Sequence, residues 1–289
     1  MVSAYETRAS SIPWNFSPVL DLGLDPRFPR QFESFGEDPL LVKTFGEAMI
    51  RGYQGDSNQV HNKTKIAACM KHFVGYHATI SGKDRTPSYI PDHVLSEYHI
   101  PSFKAAIDAG AKTIMINSGI INGIPVHSSY KILTDLLRNR LGFEGVILTD
   151  WEDINKLHDR DKIVSSKKEA IRLAINAGID MSMVPYEYEE FIDKLIELVN
   201  EGKVTMDRID EAVSKILKLK FELDLFENPS TSPSDYIDFA SEEFQGMAYQ
   251  SAAEAITLLK NNDNILPFER DKKILVVGPN ADNMRCLNG

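Results

Sequence analysis

One short pattern occurs twice in this chain and narrows its fold more than any other. Ala106-Ile107-Asp108-Ala109-Gly110 leads into Thr113-Ile114-Met115, and Ala174-Ile175-Asn176-Ala177-Gly178 leads into Asp180-Met181-Ser182-Met183. Each reads as a helix end, a glycine suited to a left-handed cap, and then a strand. The separation of Gly110 from Gly178 is about two βα units, so one building block repeats. Strands are expected at Asn15 to Leu20, Ile66 to Met70, Thr113 to Ile116, Val146 to Thr149, Ile179 to Met183 and Ile274 to Val277. Helices are expected over 38–55, 94–109, 128–140, 166–177, 187–201, 205–221 and 240–261. Strands and helices in alternation describe an α/β chain with a parallel sheet. A (β/α)8 TIM-type barrel fits best, here lacking its first strands, and a doubly wound sheet is the competing architecture.

Local signals set several boundaries. Ser166-Lys167-Lys168-Glu169 is a capping box, and Gly178 closes the helix it opens. In 205–221 the apolar positions Val213, Ile216, Leu217 and Phe221 share a helical face, which is expected to pack inward as a closing helix. Residues 226–239 begin with Phe226-Glu227-Asn228-Pro229 and are rich in Pro, Ser and Asp, so they read as a linker. The barrel domain then spans 1–225. Residues 240–289 supply a long helix and a strand that look like the start of a second α/β sandwich domain. Gly278 after that strand is a lone glycine without a dinucleotide fingerprint, so no nucleotide cofactor is implied.

Composition removes several function classes. Lys+Arg 32 against Asp+Glu 42 gives a net charge of -10, which disfavours nucleic acid as a partner. The two cysteines, Cys69 and Cys286, stand far apart and outside any ligand spacing, which argues against a disulfide framework or a zinc site. No apolar run approaches the roughly 20 residues that span a bilayer. The first residues lack the basic and apolar regions of a signal peptide. The chain reads as opening inside a helix and stopping just after a fresh strand, so truncation at both ends is the expectation.

The residues with chemistry stand at the ends of expected strands. Gly145-Val146-Ile147-Leu148-Thr149-Asp150-Trp151 is a short buried-type strand that ends in a carboxylate and then an indole. In a barrel such a tip opens into the pocket. There an aspartate can attack or stabilise a developing cation, and a tryptophan offers a flat apolar face to a sugar ring. Lys71 and His72 follow Ala67-Ala68-Cys69-Met70, and Arg30 lies in Asp25-Pro26-Arg27-Phe28-Pro29-Arg30. They offer charge-assisted donors and an imidazole to hydroxyl groups. Taken singly, each has a plain structural reading: Asp150 as a helix cap, Lys71 or His72 as a surface or capping residue, Arg30 as the partner of Glu33. Convergence on one face of one barrel is what sets chemistry above these readings.

These segments together resemble glycoside hydrolase family 3, whose typical members are β-glucosidases and β-xylosidases. The resemblance rests on Ile12-Pro13-Trp14-Asn15-Phe16-Ser17-Pro18-Val19-Leu20-Asp21, Phe32-Glu33-Ser34-Phe35-Gly36-Glu37-Asp38-Pro39, Lys71-His72-Phe73-Val74-Gly75-Tyr76, Gly142-Phe143-Glu144-Gly145 with Thr149-Asp150-Trp151, and Ala177-Gly178-Ile179-Asp180-Met181-Ser182-Met183. It implies that Asp150 is the catalytic nucleophile, that Trp151 flanks the neighbouring sugar subsite, and that Arg30, Lys71 and His72 hold hydroxyls of the sugar being cleaved. It further implies retention of configuration through a glycosyl-aspartate, which needs a second carboxyl about 5–5.5 Å away as acid and base.

In most of the family that second group is a glutamate of the second domain, expected beyond the C-terminal end of this chain, while a sugar-gripping aspartate is expected upstream of Met1. Ser118 stands where many relatives carry a tyrosine. The expectation is an exo-acting β-glucosyl or xylosyl hydrolase whose 289 residues alone turn over little. No metal or organic cofactor is implied, the partner is a β-linked oligosaccharide or glycoside, and many relatives are exported to the bacterial periplasm or beyond. The alternatives are a non-catalytic carbohydrate-binding barrel and a Schiff-base lyase using Lys71. An Asp/His branch of the family would instead engage His77 or His93, although Lys71-His72-Phe73-Val74-Gly75-Tyr76-His77 departs from its pattern. Asp84, Arg85 and Tyr89, on the loop after Lys71-His72, have two readings: residues that line the pocket, and, more commonly for such positions, solvated loop residues.

Overall fold

The computed structural model describes residues 1–56 and 59–283. Cys286 and the terminal Leu287-Asn288-Gly289 lie outside the described residues. Two compact units divide at Ala240.

The first unit is built around parallel strands β1 (Cys69–Phe73), β2 (Thr113–Ile116) and β5 (Val146–Leu148), in spatial order β1-β2-β5. The register pairs Cys69 with Thr113 and Thr113 with Val146. Single parallel bridges extend this sheet on both sides: Trp14 to Ala67 and Val19 to Lys71 on one edge, Leu148 to Met181 on the other. Five extended segments therefore follow one another in chain order, with no reversal of the doubly wound kind. The arrangement is a parallel α/β arc in chain order. Two outer segments, expected as strands over 15–20 and 179–183, are held by isolated bridges only. A short antiparallel hairpin, β3 (Ile120–Ile121) with β4 (Ile124–Pro125), stands above β2.

Helices fill the connections. They are α1 (Val2–Ala9), α2 (Pro39–Gln54), α3 (92–108), α4 (Lys131–Arg140), α5 (Asp153–Asp159), α6 (Lys167–Ala177), α7 (Tyr188–Asn200) and α8 (Met206–Glu222). α6 follows its sequence signals closely. Ser166 accepts from the Glu169 amide, and Gly178 takes a left-handed cap with φ 119°. At the N-terminal end of the strands, a Cβ on Gly145 would lie 2.1 Å from the Lys112 carbonyl oxygen, so β5 enters beside β2 only without a side chain there.

The core lies between sheet and helices, with Met70, Phe73, Ile114, Ile116 and Ile147 from the strands meeting Phe103, Leu133, Leu137 and Ile171. Asp180, almost wholly buried, ties α4 and α8 to the sheet. It accepts from Arg138, from Arg208 at 2.7 Å and from the Ile147 amide at 2.9 Å.

Four expectations need correction. In α8 the inward row is Ala212, Ile216 and Leu219; Leu219 joins Val60, Ala67, Val146 and Leu223 in a second apolar cluster, and Ile216 packs against it. Val213, Leu217 and Phe221 lie about 100°, 140° and 180° round the helix from Ala212 and are exposed. Residues 274–277 are not a strand and are open to solvent, with Val276 67% exposed, because no neighbouring strand among the described residues pairs with them. The helix of the second unit, α9 (Glu242–Ala255), stops short of 261. Residues 226–240 belong to the first unit and pack on α1: Tyr236 stacks edgewise on Tyr5 with centroids 5.1 Å apart and donates to the Lys63 carbonyl at 2.6 Å.

Candidate active site

Parallel strands present their C-terminal ends together, and here those ends carry titratable side chains. β5 runs into Thr149 and Asp150. The Thr149 amide donates to Met181 O at 3.1 Å, and the Met183 amide donates to the Thr149 hydroxyl at 2.8 Å, so the neighbouring segment clamps the tip. Asp150 is 8% exposed. Its Oδ1 accepts the Trp151 amide at 2.6 Å, while its Oδ2 faces Arg85 Nη2 at 3.5 Å and His72 Nε2 at 4.0 Å. The residue that caps α5 is Glu152, in a left-handed conformation and without a side-chain cap bond. Asp150 is therefore turned toward the mouth of the arc instead of capping the helix behind it.

β1 delivers Lys71 and His72. His72 is buried, with Nδ1 2.9 Å from Asp21 Oδ2 and Nε2 3.3 Å from Arg30 Nη2. Burial, with Arg30 next in effect, pushes its pKa down to about 3, so the imidazole is neutral. Half-buried Lys71 adds positive potential that acts on His72 and Glu33. Arg30 is fixed by a two-pronged pair with Glu33 at 2.7 and 2.9 Å, and its Nη1 donates to the Tyr76 hydroxyl at 2.9 Å. The structural reading of Arg30, as the partner of Glu33, holds, and the same guanidinium also reaches the His72 ring. Trp151 is 45% exposed, and its ring meets Tyr186 edge-on with centroids 5.9 Å apart.

Two residues read as solvated loop belong to this network. Arg85 reaches Asp150, donates from Nε to the Ser118 hydroxyl at 3.0 Å, and pairs with Asp84 at 2.6 Å. Asp84 in turn accepts from the Tyr76 hydroxyl, and burial together with that carboxylate pushes the phenol pKa up. Ser118 donates to Asp153, which is buried and also takes Lys156 Nζ at 2.8 Å. Tyr89 is exposed. No local pattern marks 84 and 85, because their role depends on a fold that brings position 85 beside position 150. His77 stands behind the mouth, against Phe28 and 3.8 Å from Asp21; His93 is outside this network.

Asp21, His72 and His77 have donor atoms within 4.8 Å of one another, the spacing of a possible ion site. Two of those atoms already engage each other, and the Arg30 guanidinium on the opposite ring nitrogen disfavours a second positive centre. What the mouth presents is the Asp150 carboxylate beside the Arg85 guanidinium and the neutral His72 imidazole, with the Arg30 guanidinium against the same ring nitrogen and the Trp151 indole open to solvent. That set suits a polyhydroxylated ring on which positive charge develops.

Known proteins share this arrangement of sequence. The chain is 46% identical over 296 residues to the lysosomal beta glucosidase of Dictyostelium discoideum, covering 100% of this chain and 36% of that protein. It is 33% identical to a periplasmic beta-glucosidase of Salmonella typhimurium, over 100% of this chain and 38% of the relative. A beta-xylosidase of Formosa agariphila is 34% identical, with 99% and 41% covered. The chain therefore spans somewhat over a third of the length of these curated relatives. Among solved structures, the beta-glucosidase of Listeria innocua in complex with isofagomine superposes with a TM-score of 0.86 at 35% identity, over 92% of this chain and 37% of that one. Residues 1–219 match the glycosyl hydrolase family 3 N terminal domain, and the chain belongs to that family.

Proposed function

We infer that the protein carrying this chain is a retaining, exo-acting β-glycosidase that removes glucosyl or xylosyl units from the non-reducing end. The observation that carries this reading is the Asp150 carboxylate at the tip of β5, with Oδ2 facing Arg85 and His72 and the indole of Trp151 alongside.

In this reading Asp150 Oδ2 attacks the anomeric carbon as the glycosidic C–O bond breaks, and the departing oxygen takes a proton from a second carboxyl group. Water then displaces Asp150 from the glycosyl-aspartate and gives its proton back to that second group. Arg30, Lys71 and His72 hold hydroxyls of the sugar being cleaved, and Trp151 receives the next ring. Arg85 aims the carboxylate, and it assists departure of Asp150 in the second step by stabilising the charge that returns to it. The acid/base is supplied from beyond residue 289, as the coverage of the relatives supports, so the chain alone turns over little. Carboxylates and water suffice for this chemistry.

The test uses the full-length gene product. Aryl β-glucoside and β-xyloside hydrolysis with retained configuration is expected, together with covalent labelling of Asp150 by a 2-fluoro glycoside. Asp150→Asn is expected to abolish both. Undiminished turnover in that variant would overturn the assignment.

A further inference from the structure

Both ring nitrogens of His72 face a polar partner, Asp21 Oδ2 at 2.9 Å from Nδ1 and Arg30 Nη2 at 3.3 Å from Nε2. A guanidinium has no acceptor atom, so the nitrogen it faces carries the lone pair. The imidazole proton therefore sits on Nδ1, directed at Asp21. Asp21 Oδ2 also accepts the backbone amide of His72 at 2.9 Å, which pins that oxygen as an acceptor. The two side chains are each 1% exposed, so bulk solvent does not compete for these bonds. On the other flank Arg30 is itself held by Glu33. The result is a linear relay, Glu33 to Arg30 to His72 to Asp21, in which each donor has one direction open to it.

We propose that Asp21 is a positioning residue that holds His72 as its Nδ1–H tautomer, so that Arg30 and His72 form a donor–acceptor couple selecting one ligand hydroxyl. That hydroxyl takes the place of the direct Arg30–His72 contact, accepting from the guanidinium and donating to Nε2. The inference rests on the glycosidase reading of the mouth, since a sugar supplies such a group. Fluorine at the same position accepts from Arg30 but leaves Nε2 facing a second acceptor, and a methoxy group has no proton to donate. Either leaves a buried polar atom unpaired. The oppositely protonated ring would present N–H beside a guanidinium N–H, and the couple would lose its acceptor. His77, although 3.8 Å from Asp21, makes no hydrogen bond to it and does not alter this direction.

The tautomer is read in this chain by NMR on 15N-histidine-labelled protein, with His72→Gln identifying the signals. A protonated Nδ1 and a bare Nε2 are expected. Asp21→Ala is expected to give mixed or reversed protonation, and Asp21→Asn, whose amide oxygen still faces the His72 backbone amide, to retain it. A wild-type ring protonated on Nε2, or an Asp21→Ala ring identical to wild type, overturns the proposal.

In the full-length gene product, Asp21→Ala is expected to lose about 10–100-fold in kcat/KM, the usual effect of removing the partner that orients a binding histidine, with most of it restored in Asp21→Asn. Should Asp21→Asn keep the tautomer yet lose as much as Asp21→Ala, charge and not tautomer governs, and the proposal fails. Where Asp21→Ala does not fold, the wild-type spectrum and Asp21→Asn decide.

A panel of mono-deoxyfluoro aryl glucosides completes the test. One position is expected to show a penalty that shrinks in Asp21→Ala, and the inductive effect of fluorine, common to both proteins, cancels in that comparison. Equal penalties in both proteins overturn the hydroxyl couple. Absence of any glucoside or xyloside hydrolysis, with the expected tautomer present, overturns the glycosidase reading and leaves the assignment of Asp21 standing.

Discussion

Replacing Asp180 by alanine is expected to damage this fold more than any surface change, and the reason lies in what the carboxylate holds. Its two oxygens take Arg138, Arg208 and the Ile147 amide, from two helices and the central sheet. The Asp180 side chain is 1% exposed and both arginines are 12% exposed. Removing the anion leaves two nearly dehydrated guanidinium groups facing each other, and breaking a buried pair from one side costs about 3–5 kcal/mol. The Ile147 amide loses its acceptor, a further cost of about 1–3 kcal/mol when the site stays dry. Some of this is recovered because Arg138 also donates to the carbonyls of Phe143 and Gly145, and Arg208 to those of Ile175 and Ile179.

A net loss of about 3 kcal/mol is therefore the lower expectation, worth roughly 6–12 °C in Tm for a unit of this size. Urea and thermal unfolding of the chain, followed by near-ultraviolet circular dichroism, measure it. The control is Asp108→Ala, which removes an exposed i,i+4 pair with Lys104 and is expected to cost at most about 0.5 kcal/mol. Should the two variants unfold together, the argument that burial separates these ion pairs is wrong.

Three further outcomes are expected. Gly145→Ala places a methyl 2.1 Å from Lys112 O, backbone against backbone, and is expected to prevent normal expression of the folded unit, whereas Gly110→Ala, with nothing within 4 Å and φ +90°, costs only about 1 kcal/mol in the same unfolding assay. His72 and His127 both have folded pKa values pushed down to about 3, chiefly by burial, so the unfolded chain binds more protons; the stability at stake is full above about pH 6.5 and is lost as pH falls toward 3, and His127→Gln is expected to flatten that slope in Tm against pH. Arg85→Ala in the full-length gene product is expected to lower kcat/KM by about 10–100-fold with partial recovery in Arg85→Lys, while Tyr89→Ala changes it little, and equal behaviour of the two alanine variants would remove Arg85 from the site.

The legible parts of this molecule are those whose physics is local. α6 begins and ends where Ser166, Glu169 and Gly178 say it must, because a cap bond and a left-handed turn involve neighbours in the chain. β1, β2 and β5 were readable as apolar runs, and the order of units made their parallel pairing the natural expectation. Asp150 and Trp151 stood out as a carboxylate and an indole at the end of such a run, although the run alone equally allows Asp150 to cap the next helix. Periodicity was less dependable on α8, where Val213, Leu217 and Phe221 share an apolar row that faces solvent while Ala212 and Leu219 turn inward. A hydrophobic stripe states which residues avoid water, not which surface is present to receive them. Residues 274–277 failed as a strand for the same reason: their pattern asks for partners in a sheet that the described residues do not contain.

What the sequence by itself determined was the alternation of elements, the limits of those with local caps and the place of Asp150 at the end of a strand. Tertiary structure alone decided which groups surround that residue. Arg85 lies 65 positions from Asp150, and Asp21 lies 51 from His72, so neither pairing leaves a mark on local composition. Hydrogen bonds form between atoms, and the distance between atoms on different strands is set by the order and stagger of the sheet. Only after β1 lies beside β2, and β2 beside β5, do an aspartate, an imidazole and two guanidinium groups come close enough to fix one another's charge and proton.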